Sequence, residues 1–153
     1  MFDAFLKLQG IEGESQNSKH KGEIEVLSFS WGISSPGSLA NGGGGGAGKV
    51  TVHEFSITKM IDASSPILFH KVCQGSSIGD GLFTLVDRQT GLGFYKIKFE
   101  GVIISSVQPG ANTGHSVPTE SMSLNFTSVE ISAADARGNV TEGLVCSVNG
   151  AIG

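Results

Sequence analysis

Residues 23–31 read Glu23-Ile24-Glu25-Val26-Leu27-Ser28-Phe29-Ser30-Trp31, and this stretch decides the fold class. Successive side chains of a strand point to opposite faces. Ile24 and Val26 share one face, whereas Leu27, Phe29 and Trp31 share the other. The apolar side changes partway along, as it does when one extra residue bends a strand. The same change recurs three times. Val50 and Val52 give way to Phe55 and Ile57; Ile97 and Phe99 give way to Val102 and Ile104 across Gly101; Met122, Leu124 and Phe126 give way to Val129 and Ile131. Bent strands suit a closed or nearly closed barrel. The alternative is two apolar faces, one of them covered by a neighbouring subunit, and both can hold together.

Outward from this stretch, alternation continues. Phe2, Ala4, Leu6 and Leu8 line one side of a first strand, and residues 49–59, 82–86, 94–107, 122–132 and 140–148 read as further strands. Gly10, Gly13, Gly79-Asp80-Gly81, Thr90-Gly91, Pro109-Gly110 and Arg137-Gly138-Asn139 supply turns. Short turns between alternating strands predict antiparallel pairing in a sandwich or barrel. One helix interrupts the pattern. Ser64-Ser65-Pro66 offers a serine N-cap with proline at the first helical position, residues 67–74 lack alternation, and Gly75 is a C-terminal stop. Residues 34–48 form a glycine-rich loop far longer than a hairpin needs.

The chain has 153 residues, 23 of them glycine, and a formal net charge of −4. That length suits a single domain, 1–153, with about two thirds of its unfolded surface buried. The acidic balance argues against a nucleic-acid partner and against attraction to anionic lipid. No apolar run reaches the length of a membrane span, and the first residues lack the basic and apolar regions of a signal peptide. A cytoplasmic folding compartment is expected, with Cys73 and Cys146 as buried free thiols.

Chemical motifs are sparse. Gly43 to Lys49 nearly spells a phosphate-binding loop, but Val50 stands where the magnesium-ligating hydroxyl belongs, and a strand follows instead of a helix. Ser56-Ile57-Thr58-Lys59 matches a Ser-x-x-Lys motif without its companion motifs and lies mid-strand. His20, His53, His70 and His115 show no metal-ligand spacing. No catalytic residue, metal ligand or cofactor is assigned, and an assembly role is favoured over an enzyme. A small hydrolase on a β-barrel would need a hidden triad.

The run from Glu23 to Ile33, the glycines Gly42 to Gly46 followed by Ala47-Gly48-Lys49-Val50, and the run from Phe55 to Pro66 resemble the haemolysin-coregulated protein (Hcp) family. Phe5-Leu6-Lys7 with Gly13-Glu14-Ser15 is similar to its opening, and Leu124-Asn125-Phe126 before Val129-Glu130-Ile131 to its late strand. The resemblance implies an all-β-dominated fold: a small antiparallel β-barrel of two packed sheets, one short flanking α-helix and the long glycine-rich loop. It further implies homohexameric rings stacking into the inner tube of the bacterial type VI secretion system. The implied partners are further copies of the chain, the spike protein VgrG, the contractile sheath and small effector cargo carried in the lumen. The protein would assemble from the bacterial cytoplasm and leave through that system. The alternative is an Hcp-like effector or cargo-dedicated paralogue.

In that setting Ser34, Ser35, Pro36, Gly37, Leu39, Asn41, Gly42, Gly43, Gly44, Gly45 and Gly46 are expected to be ring-stacking residues. Ser28 and Ser30 are expected at the lumen. If Leu27, Phe29 and Trp31 take the core, period two forces these serines outward.

Overall fold

The structure, a computed structural model, describes residues 1–35, 51–111 and 117–147. Its strands are β1 (Phe2–Leu8), β2 (Ile24–Val26), β3 (Ser28–Ser30), β4 (Ile33–Ser34), β5 (Thr51–Val52), β6 (Phe55–Met60), β7 (Gly79–Asp87), β8 (Gly93–Gly110), β9 (Thr119–Asn125), β10 (Ser128–Ala134) and β11 (Val140–Ser147). The helix α1 is Ser65–Gln74. All strand pairs are antiparallel.

Two sheets share β8. Its first half pairs with β7 and β10, placing it in sheet A, ordered β2-β1-β7-β8-β10-β11. Its second half pairs with β9, placing it in sheet B, ordered β8-β9-β6-β3. The passage between the halves falls at Gly101, whose φ of +64° is left-handed. A Cβ there would also stand 2.5 Å from Thr127 Oγ1, so both backbone and space select glycine.

The bent-strand reading of the four phase changes is the one the structure bears out. Ile24, Val26, Phe55, Ile57, Ile97, Phe99, Val102, Ile104, Met122, Leu124, Phe126 and Val129 all enter one core, with Phe29, Trp31, Val52 and Ile131 packed against it. Each phase change is a corner where the chain leaves one sheet or direction for another. Phe55 sits among Phe83 and Phe99, each with ring centroids 5.0 Å away, and Phe29 lies 4.7 Å from Phe83. Full burial of each such ring contributes about 1.5–3 kcal/mol.

Several expectations need correction. The ladder does not close into a barrel: β2 and β3 end it, and they are joined through Leu27 by the chain itself. Leu27 is 57 % exposed and not in the core. As the hinge residue it donates its N–H to Thr58 O at 2.8 Å, and the return to the inward phase waits for Phe29. Residues 122–132 are two strands, because β9 follows one half of β8 and β10 the other. Cys73 is exposed on α1, and the side chain of Cys146 lies outside the described ones.

The helix ends as expected, with Gly75 (φ +65°) closing it through an N–H to Lys71 O bond of 3.1 Å, but it starts at Ser65, so Pro66 takes the second helical position and not the first. Ser64 occupies the N-cap position without a side-chain cap. The capping group is Asp62, whose Oδ1 accepts from Ser64 N at 2.9 Å and also from the Ser64 hydroxyl. A carboxylate at a helix N-terminus also meets the positive end of its dipole.

Candidate functional site

Register assembles residues far apart in sequence onto the outward face of sheet B. Ser28 lies opposite Thr58, Thr58 opposite Ser121, and Ser121 opposite Gln108. The next outward row holds Ser30, Ser56, Ser123 and Ser106. The Ser56 and Ser123 hydroxyls are 3.0 Å apart and hydrogen-bonded. These eight positions carry no ionisable side chain. Ser28 and Ser30, singled out by the sequence, are exposed on the outer strand of this face. The other six were missed because only strand register brings them alongside.

The inner face of sheet B has a contrary feature. Its apolar rows end in a cross-strand pair of charges, Lys59 opposite Glu120, with side chains 1 % and 0 % exposed. Lys59 Nζ donates to Glu120 Oε1 at 2.6 Å, to Asp62 Oδ1 at 3.0 Å and to Met60 O at 2.9 Å. The Ser65 hydroxyl donates to Glu120 Oε1 at 2.7 Å and accepts from Asp62 N at 3.0 Å. Glu120 Oε2 is buried with no partner among the described residues. Burial opposes ionisation of Asp62, but hydrogen bonds from Ser64 and Lys59, with the Lys59 charge, hold its carboxyl below the ordinary value. The network ties β6, β9 and the start of α1 together. Parity was the available signal: Lys59 continues the inward set Phe55 and Ile57, and Glu120 continues Met122 and Leu124.

The base of the long loop is the β4–β5 pair, Ile33 opposite Val52 and Ser34 opposite Thr51. Trp31 anchors it, donating its indole N–H to His53 O at 2.9 Å and meeting Phe126 edge-on with centroids 6.0 Å apart. Ser34 Oγ lies 3.3 Å from His53 Nε2. Ser34 and Ser35 are exposed. Pro36, Gly37, Leu39, Asn41 and the glycines Gly42, Gly43, Gly44, Gly45 and Gly46 lie outside the described residues. So does the near-match to a phosphate-binding loop.

The family model described as "Type VI secretion system effector, Hcp" matches residues 5–132. The chain is 39 % identical over 133 residues to protein hcp1 of Pseudomonas aeruginosa, covering 84 % of this chain and 81 % of that one. The chain belongs to the Hcp family. Its fold matches the crystal structure of Hcp1 from Salmonella typhimurium with a TM-score of 0.82 at 30 % identity, covering 97 % and 95 % of the two chains. It matches a type six secretion system protein with a TM-score of 0.88 at 27 % identity over all of both chains. This Hcp protein is therefore a tube protein of the type VI secretion system, and the resemblance carried by Ser-Trp-Gly and the glycine run holds. Among the described residues no helix is long and apolar enough to cross a membrane.

Proposed function

We propose that this Hcp chain, acting as one domain, closes into homohexameric rings that stack into the inner tube, with the outward face of sheet B lining the lumen. The observation that carries the orientation is the two rows of hydroxyl and amide side chains free of charge. Small neutral groups leave space for a guest and hold no fixed ion to arrest it. Ser28 and Ser30 touch effector cargo in this arrangement. The loop from Ser34 onward, anchored by Trp31 and His53, makes contact between rings. The spike protein VgrG caps the tube, the contractile sheath surrounds it, and the part played by the chain is structural and not catalytic. Subunits assemble in the bacterial cytoplasm and leave with the tube.

Identical subunits whose heterologous contacts close by rotation form rings. Electron microscopy of the purified protein is expected to show rings, and light scattering a mass about six times the 15.8 kDa of one chain. A monodisperse 15.8 kDa species overturns the ring.

A further inference from the structure

Three residues of sheet A are buried on its wrong side. Phe5 lies between the core residues Ala4 and Leu6 on β1, and Thr84 and Val86 alternate with Phe83 and Leu85 on β7, so all three point outward. Phe5 pairs with Thr84, and Val86 stands one outward row along. They are nevertheless 4 %, 1 % and 3 % exposed, and none belongs to the cluster that fills the core. A second layer covers them, and the loop between β1 and β2 supplies it. The His20 ring lies flat on Phe5, with centroids 4.6 Å apart and planes 3° from parallel. Lys19 Nζ reaches Gly91 O, in the turn that follows β7, at 3.4 Å.

This loop is bonded mainly to itself. Its neck is closed by Gly13 N to Gly22 O at 2.7 Å, Gly22 N to Ser15 O at 2.9 Å and Ser15 N to Glu23 O at 3.0 Å. Within it, Asn17 N bonds Ser15 Oγ, and His20 N bonds Asn17 O. A loop with close ends and its own internal bonds is a compact body. Its hold on the rest of the molecule is slight. Among the described residues, the aromatic and polar contacts of its tip, 14–21, beyond the loop are the His20 stack, the long Lys19 bond and one carboxylate. That carboxylate is Glu14, whose Oε2 accepts from Ala63 N, just before α1, at 2.6 Å. The closed position also carries a cost. His20 Nδ1 lies 3.0 Å from Glu23 Oε2, but the other oxygen, Glu23 Oε1, and Thr84 Oγ1 beside Phe5 are buried without a partner among the described residues. A polar atom buried unpaired keeps its desolvation penalty, and lifting the loop returns both atoms to water.

We propose that the loop is a strap that lifts from sheet A as a unit about its neck, latched by His20 on Phe5. Lifting bares the strip of Phe5, Thr84 and Val86 while both sheets stay folded, and it frees Ala63 N at the approach to α1. Local openings of this kind draw on segments with few buried contacts. The strap belongs to the single subunit and operates whether or not rings form.

The test is thiol labelling in a Cys73→Ser, Cys146→Ser background, in urea below the unfolding transition. Thr84→Cys places a thiol under the strap, and Leu85→Cys places one in the core on the same strand. The thiol at position 84 is expected to react at least about tenfold faster than the one at 85, at a rate that changes little with urea. The thiol at 85 is expected to react only as the whole chain unfolds. Adding His20→Ala is expected to speed the reaction at 84 by about tenfold and to leave the rate at 85, relative to global unfolding, unchanged. Equal rates at 84 and 85 overturn the strap, because the strip then opens only with the fold. An unchanged rate at 84 on His20→Ala overturns the latch. Val86→Cys, at the other outward buried position of β7, is the reporter with the same two readings where Thr84→Cys does not fold.

Discussion

On the outward face of sheet A, Lys7, Leu82, Lys98 and Glu130 form one cross-strand row, with Lys96 and Glu25 nearby in the next. On the outward face of sheet B the two rows through Thr58 and Ser56 hold only serine, threonine and glutamine, with Asn125 and Glu54 at their border. Inside, the order reverses. Sheet A presents Leu6, Phe83, Ile97 and Val129 to the core, while sheet B places Lys59 and Glu120 there. Charge on the solvated side costs little and adds little. Charge on the buried side must be paired, and its loss is felt by every element it ties together. The neutrality outside sheet B and the ion pair inside it are therefore separable by mutation: one is a surface property, the other a structural one.

The largest expected effect comes from breaking the inner pair. Glu120→Leu leaves the Lys59 ammonium buried beside Asp62, the Ser65 hydroxyl and a carbonyl, without its closest carboxylate. We expect a loss of about 3–5 kcal/mol in urea unfolding. The double variant Lys59→Met with Glu120→Leu removes both charges and is expected to recover most of that loss. Equal destabilisation by the single and double variants would show that shape, not charge, is what the site requires.

Next in size is the bend that divides the two sheets. Gly101→Ala places a side chain at φ +64° and against Thr127. The expected cost is about 1–3 kcal/mol, as for other strained backbone positions. A neutral Gly101→Ala would mean that β8 can turn elsewhere and that the halves are not set by this residue.

A smaller effect is expected from pH. The folded-state carboxyl of Asp62 sits below its ordinary 3.8. Its contribution is therefore present above the unfolded value and lost as pH falls through the folded one. Asp62→Asn should run at a constant offset from wild type above about pH 5 and converge on it in more acid solution. Parallel stability curves down to acid unfolding would show that the Lys59 contact does not lower this carboxyl.

The two regions were not equally legible in sequence. The limits of β1, the ends of α1 and the bend at Gly101 follow from alternation, proline and glycine. The corners at Leu27 and at Phe126-Thr127 contain neither glycine nor proline, so they read as continuous strand; pairing divides them, β2 with β1 and β3 with β6, β9 and β10 with the two halves of β8. Leu27 was misplaced for the same reason: an apolar hinge residue looks like a core residue when the hinge is unmarked. The outward serines of β3 were legible because Phe29 claims the other side. Ser56, Thr58, Ser106, Gln108, Ser121 and Ser123 required a register no local pattern contains. The apolar surplus that hinted at a covering neighbour turned out to be one core reached from several directions, so it gives no support to the ring.

The smallest expected stability effect sharpens the contrast most. Ser30 is exposed, lies opposite Ser56 and points away from Phe29. Ser30→Gln therefore meets solvent, and stability should stay within about 0.5 kcal/mol of wild type, as for ordinary surface changes. Lys98→Gln on the outward face of sheet A should be equally mild. The two differ only if the faces differ in role. A lumen-facing Ser30 has guest cargo in front of it, and the longer amide takes the space that the serine left. Co-purification of a bound effector should then fall with Ser30→Gln and persist with Lys98→Gln. If both variants fold and both retain cargo, Ser30 does not contact the guest. If Lys98→Gln alone releases it, sheet A faces the lumen, and the orientation of the subunit is reversed.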